Sequence, residues 1–218
     1  MDVLARTFVN VAATCGGTRT LGPGLRAAVW VQGCPFRCAG CLAPDWLPDR
    51  PARLVAPVAL AAELLADPHV TGLTFSGGEP MAQAAGLAGT IRAARLERDV
   101  SLICFTGYTL QRLRSRPPAP GVAELLEETD VLIDGLYVAS LNDNRGLRGS
   151  ANQRIHHLTH RLEAAGYDFE GRRREAELHL DPEGALLAGV PPHGLATAVE
   201  RAARRVHRNL LAPDGGLP

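Results

Sequence analysis

The 218 residues include no lysine: all 23 basic side chains are arginines, and 23 acids balance them to a formal net charge of zero. A catalytic lysine is therefore excluded, and the balanced charge gives no global pull toward nucleic acid or an acidic surface. No apolar run reaches membrane-spanning length, and residues 1–6 lack a basic segment leading into an apolar one. The expectations are no nucleic acid partner, no membrane and a cytoplasmic location. Cysteine is scarce, with five in the chain, and without a secretory segment a disulfide framework is a poor reading of them. The remaining composition, 46% hydrophobic, suffices for one sizeable core and predicts one domain over residues 1–218.

The few cysteines are crowded. Cys34, Cys38 and Cys41 fall within eight residues, in the stretch that runs from Trp30 through Gly33 and Phe36. Three thiolates at this spacing can curl around one corner of an iron–sulfur cube, and without a nearby fourth cysteine one iron stays open to another ligand. A structural zinc site competes, but closed zinc sites take four Cys or His ligands and nothing downstream supplies a matching pair. Cys15 and Cys104 lie in or beside apolar strands, where a buried, inert thiol is the ordinary outcome.

The order of elements predicts an α/β fold with a mainly parallel sheet. Residues 7–13 read as a strand broken by Cys15-Gly16-Gly17, and residues 27–32 as an apolar strand that delivers the cysteine loop at its C-terminal end. Further strands are predicted at 70–75, 100–105 and 130–134, with helices at 58–66, 81–98, 110–114 and 122–128. A closing hairpin around Asp181-Pro182-Glu183-Gly184 and a last helix over 197–210 complete the chain. Ligands of parallel α/β folds bind where the loops at strand C-termini converge, so the tips of the strands are where chemistry is expected. Gly77-Gly78 would let backbone approach a ligand closely, and Glu79 adds a carboxylate. Asp134, at the tip of the strand 130–134, could grip a ribose or cap a helix or turn.

These segments together resemble a known family. The cysteine run, Gly77-Gly78-Glu79-Pro80, Phe105-Thr106-Gly107-Tyr108-Thr109, and the pair formed by residues 130–135 and 148–154 are similar to the radical S-adenosylmethionine superfamily. Within it they look most like the activating enzymes of anaerobic ribonucleotide reductase and of pyruvate formate-lyase. The resemblance covers residues 8–158, and residues 168–218 form a C-terminal extension beyond it. It implies a partial, open (βα) barrel of the radical SAM type, with a 4Fe-4S cluster on Cys34, Cys38 and Cys41 and S-adenosyl-L-methionine on the open iron. Gly77, Gly78 and Glu79 would then hold the methionine amino group, Gly40, Cys41 and Leu42 would lie against the nucleotide, and Asp134 would sit near the ribose. It further implies an external electron donor of flavodoxin or ferredoxin type and reductive cleavage to a 5′-deoxyadenosyl radical. That radical would act on a glycine Cα of a protein or peptide partner.

The chain departs from the family pattern at two places. Leu42 stands where the reductase activases usually carry an aromatic residue, and no lysine follows Asp134, which favours the reductase-activase branch. A peptide- or protein-modifying radical enzyme is the nearest alternative, and a non-catalytic iron–sulfur electron carrier or sensor is the alternative of another class. Two weaker features remain. His156, His157 and His160 are predicted on a helix, with 156 and 160 on one face but no third ligand. Arg201, Arg204, Arg205 and Arg208 recur at helical spacing, as a solvated face or an acidic-partner dock.

Overall fold

The computed structural model describes residues 8–181 and 184–211. In chain order the strands of its main sheet are Val9–Thr18 (β1), Arg26–Val31 (β2), Arg53–Val55 (β3), Gly72–Gly77 (β4), Ser101–Thr106 (β5), Val131–Asp134 (β6) and Arg154–His157 (β7). They lie side by side as β3-β1-β2-β4-β5-β6-β7. The central four, β2, β4, β5 and β6, are mutually parallel, while β1, β3 and β7 join through antiparallel pairings. The sheet does not close, since β3 and β7 are not paired with each other.

Every residue of β2 and of β6 is buried, as strands covered on both faces must be. Alternation along β5 shows the two layers: Leu102 and Cys104 join one core and Ile103 the other, the period-two consequence of the pleat. The larger core is closed by helices Pro57–Leu64 (α1), Ala84–Glu97 (α2), Leu110–Ser115 (α3) and Val122–Glu128 (α4). α1 begins at Pro57, whose fixed φ and missing N–H suit the first helical position. Leu60 and Leu64 of α1 and Leu87 and Ile91 of α2 pack with Leu73, Phe75 and Leu102 of the sheet. On the opposite face Ile103, Val131 and Ile133 meet Leu147 and Phe169.

The C-terminal region adds a separate hairpin, Ala176–Asp181 (β8) with Gly184–Gly189 (β9), and a last helix, Leu195–Leu211 (α5). Both match the sequence prediction, although Pro182 and Glu183 of the predicted turn lie outside the described residues. Among the described residues no helix is long and apolar enough to cross a membrane.

Three expectations change. β1 does not stop before Cys15 but runs to Thr18, with register shifts that absorb Gly16 and Gly17 as bulges; an extra residue in one strand bends it without ending it. The helix expected over 81–98 starts as a 3-10 turn, Pro80–Gln83, before α2. The histidines are not on a helix: His156 and His157 belong to β7, paired against Leu132 and Val131, so successive side chains point to opposite faces. His160 is exposed and bonds Glu163 at 2.8 Å.

Candidate functional site

The C-terminal ends of β2, β4, β5 and β6 surround a cavity of about 230 Å³. Cys34, Cys38 and Cys41 line it, together with Gly77, Gly78 and Glu79 from β4, Thr106 and Gly107 from β5, and Gly135 beyond β6. The strand-tip expectation is thus met by residues separated by a hundred positions in the chain. All three cysteines are partly exposed and free. Among the described residues, no three Cys, His, Asp or Glu side chains converge as a single metal ion would require. A cube asks for a different arrangement, because each cysteine ligates its own iron.

The cysteine loop is held by backbone. Gly33 donates to Trp46 O at 2.9 Å, Cys34 to Leu47 O at 3.1 Å, and Ala43 N–H points at Cys41 Sγ at 3.5 Å. Gly40, with φ of +74°, takes the left-handed turn between the second and third cysteine, a conformation that costs glycine nothing. Burial pushes the Cys34 thiol up to about 11, against a backbone hydrogen bond that lowers it and the nearby Glu79 charge that raises it further. A free Cys34 is therefore protonated at neutral pH, and a bound iron must displace that proton.

Gly77 and Gly78 are required by the protein's own packing as well as lining the cavity. A Cβ on Gly77, where φ is +109°, would stand 2.3 Å from Val31 N, and one on Gly78 would stand 2.1 Å from Gly33 O. Gly78 N–H donates to Val31 O at 2.7 Å and Glu79 N–H to Gly33 O at 2.9 Å. The bare glycines are needed for the end of β4 to lie against the backbone that enters the cysteine loop. They line the cavity, but the close approach they permit is protein to protein.

Glu79 is 1% exposed. Its Oε1 accepts from Met81 N–H and Thr106 Oγ1–H, each at 2.8 Å, and its Oε2 from Gly107 N–H at 2.8 Å. The carboxylate thereby starts the 3-10 turn and ties the tip of β4 to that of β5. Burial pushes its pKa up to about 7, although all three hydrogen bonds pull the other way. Each carboxylate oxygen can accept two hydrogen bonds, so Oε2 keeps capacity for a ligand donor.

Asp134 takes the capping role that the sequence also allowed. It is not among the residues that line the cavity. Its Oδ2 accepts from Leu110 N–H at 2.5 Å, capping α3 alongside the Thr109 hydroxyl. His156 Nε2 stands 3.0 Å from the same oxygen but makes no properly directed hydrogen bond. Leu42 lines the cavity and is 49% exposed.

Sequence reasoning missed several walls. Trp30 and Trp46 pack with ring centroids 5.6 Å apart and both face the cavity. Gln153 is 8% exposed, accepts from Gly149 N–H at 2.7 Å and donates to Gly135 O at 2.7 Å, bracing the loop beyond β6. Leu187, Gly189, Val190 and Pro191, at and after β9, line the far side. A buried glutamine and the position of an added hairpin leave no periodic or motif signal; only the quoted stretch 148–154 pointed near Gln153.

A cofactor of cluster and nucleotide fits these residues. Three partly exposed thiols face a mostly apolar cavity, and the donor set suits iron–sulfur chemistry rather than a hard cation.

Comparison with known proteins agrees with this geometry. Residues 20–156 match the family described as 4Fe-4S single cluster domain. The chain is 31% identical over 141 residues to the anaerobic ribonucleoside-triphosphate reductase-activating protein of Enterobacteria phage T4, covering 62% of this chain and 85% of that protein. The protein of that name from Vibrio cholerae is 34% identical over 150 residues, covering 63% and 91%. The pyruvate formate-lyase 1-activating enzyme of Escherichia coli is 29% identical over 161 residues, covering 71% and 61%. The chain belongs to the 4Fe-4S single cluster domain family, among the radical S-adenosylmethionine activating enzymes.

Proposed function

We propose that this enzyme is a glycyl-radical-enzyme activase whose cluster ligands are Cys34, Cys38 and Cys41. The observation that carries the reading is that these three thiols share one cavity with the Gly77-Gly78-Glu79 turn, at the C-terminal ends of the parallel strands. An electron carrier has no need of a second, adjacent binding compartment. The open sheet is then read as a partial barrel of the radical SAM type, and residues 1–218 as one unit with an extension from 168.

When bound, the cluster and S-adenosyl-L-methionine supply one-electron cleavage of a sulfur–carbon bond and a 5′-deoxyadenosyl radical, the hard chemistry being the cofactor's own. The protein holds and shields. Trp30 and Trp46 form an apolar wall that excludes water, and Ala43 N–H stabilises charge on the Cys41 sulfur. Glu79, fixed from three sides, presents its remaining acceptor capacity to an ammonium group, while Gly40, Cys41 and Leu42 flank the nucleotide. Asp134 acts at one remove, by fixing α3 and the turn that carries Gly135.

The partner is a protein or peptide presenting a glycine; the relatives are named for activating a reductase and a formate-lyase. An electron donor of flavodoxin or ferredoxin type in a reducing cytoplasm completes the reading. The test is anaerobic reconstitution, with about four irons and four sulfides per chain expected, followed by reduction with a partner deuterated at the glycine Cα. Deuterium in 5′-deoxyadenosine supports the activase. Label from a side-chain carbon supports the peptide-modifying alternative, and no cleavage with any partner supports the electron carrier.

A further inference from the structure

Phe36 is the middle residue of the three between Cys34 and Cys38, and it lines the cavity beside the thiols. Its ring is gripped from the tip of β5. The Tyr108 ring meets it edge-on with centroids 4.7 Å apart, and a Cβ on Gly107 would stand 2.6 Å from Phe36 Cε2. The bare backbone of Gly107 is therefore the floor on which the ring lies, because the missing side chain makes the room. Leu136, from the loop beyond β6, closes the same slot, its Cδ2 3.2 Å from where that Cβ would be.

The slot is itself fixed. Gly107 N–H donates to Glu79 Oε2 at 2.8 Å, Tyr108 N–H to Thr106 Oγ1 at 3.1 Å, and the Tyr108 carbonyl accepts from Gly135 N–H at 3.1 Å. On its other side, the Phe36 backbone N–H favours charge on the Cys34 sulfur. One residue thus joins the first thiol to the tips of two strands, its main chain toward the sulfur and its ring in the slot. The neighbouring loop side chains give no such cover, since Pro35, Arg37 and Ala39 are exposed.

Reduction adds one negative charge beside thiolates that are already negative, and surroundings of low dielectric disfavour that charge. An apolar ring over the first thiolate lowers the reduction potential, and water in its place raises it. We propose that Phe36 is a positioning residue for the cluster. Its ring, held between Gly107, Tyr108 and Leu136, keeps water off Cys34 and so holds the potential low enough to drive an electron into a sulfonium. The electron comes from the external donor, and no bond changes at Phe36. This inference rests on the activase reading and adds to it the residue that sets the driving force.

The experiment has a metal-free arm and a loaded arm. In metal-free protein, iodoacetamide alkylation is followed by mass spectrometry after trypsin, which cuts at Arg37 and so separates Cys34 from Cys38 and Cys41. Phe36→Ala should raise the rate at Cys34 at least about tenfold while buried Cys15 and Cys104 stay protected. In reconstituted protein, the midpoint potential is read by EPR-monitored redox titration. Phe36→Ala should move the reduced-to-oxidised ratio at least about tenfold toward reduced, about 59 mV for one electron. Phe36→Leu, which keeps apolar bulk, should stay within about twofold of wild type. Gly107→Ala should reproduce the shift with Phe36 intact, because the new Cβ takes the ring's place. Where Phe36→Ala assembles no cluster, Phe36→Val supplies the same comparison. A wild-type potential in both the Phe36 truncation and Gly107→Ala, or an equal shift in Phe36→Leu, overturns this inference alone, as does faster alkylation of every cysteine together. A wild type that assembles no four-iron cluster on these thiols overturns the activase reading and this inference with it.

Discussion

The two ends of the parallel strands solve opposite problems. At the C-terminal end the strands stop at glycines and thiols around an open cavity. At the N-terminal end the space is plugged by charge. Arg26, the first residue of β2, is fully buried and donates to Thr74 Oγ1 at 2.8 Å, Ser101 Oγ at 2.9 Å and the Leu73 carbonyl. Gly72 makes room for it, since a Cβ there would stand 2.3 Å from Arg26 Nη1. Burial lowers the Arg26 pKa to about 9, which leaves it charged at neutral pH. Asp130, just before β6, is 1% exposed and receives Arg95 Nη2 at 2.9 Å, Leu102 N–H at 2.7 Å and the Thr159 hydroxyl at 2.6 Å. Fully satisfied polar groups make one end rigid; groups with unused capacity make the other end a site.

The sharpest way to break this contrast is to remove a thiol. Cys34→Ala, Cys38→Ala or Cys41→Ala should abolish the cluster absorbance of reconstituted protein while metal-free stability changes little. Cys15→Ala and Cys104→Ala should retain it, because both thiols are buried outside the cavity lining. Loss of iron from either of those two would reverse the assignment.

At the plugged end, Asp130→Ala should cost about 1–3 kcal/mol, by leaving the buried Leu102 N–H without its acceptor while Arg95 keeps Glu128. Urea denaturation measures it, and folded protein should still bind iron. Gly78→Val sits at the open end but should behave like a core lesion. The new side chain meets the Gly33 carbonyl, and overpacking costs roughly 1–3 kcal/mol. Because that carbonyl leads into the cysteine loop, the variant should lose cluster occupancy as well as nucleotide binding. Full iron content with calorimetric loss of nucleotide binding alone would restore the view that the glycine faces only a ligand.

The smallest effect is expected at Glu79. Its folded-state pKa is raised to about 7 by burial, so between about pH 4.5 and 7 the folded chain binds more protons than the unfolded one. Metal-free protein should therefore lose stability as pH rises through that window. Glu79→Gln should flatten the slope while costing about 1–3 kcal/mol, because an amide cannot accept from both Met81 and Thr106 on one side and Gly107 on the other. A slope unchanged in the variant would assign the pH dependence elsewhere.

Local patterns make much of this molecule legible in its sequence. The apolar runs of β2, β4, β5 and β6 announce buried parallel strands because burial on both faces demands it. The spacing of Cys34, Cys38 and Cys41 reads as that of a metal-binding loop, because ligands close in sequence need no help from the rest of the fold to come together. The antiparallel edges were not legible: β3 and β7 have three and four residues, too few for periodicity to speak. For the same reason the histidines of β7 read equally well as a helix face.

Residue roles at the site were decided only in three dimensions. Asp134 has a sequence position that suits a ribose ligand or a cap, and the structure shows the cap, from its Oδ2 to the start of α3. Gly78 reads as a ligand contact, yet the carbonyl of Gly33 occupies the space its side chain would fill. β9 lies more than a hundred residues from Cys34, Cys38 and Cys41 and carries no motif, yet it lines their cavity. The sequence determined which chemistry the chain can hold, because that depends on residue type and short spacing. Which atoms remain free to perform it depends on long-range packing, and only the tertiary structure decided that.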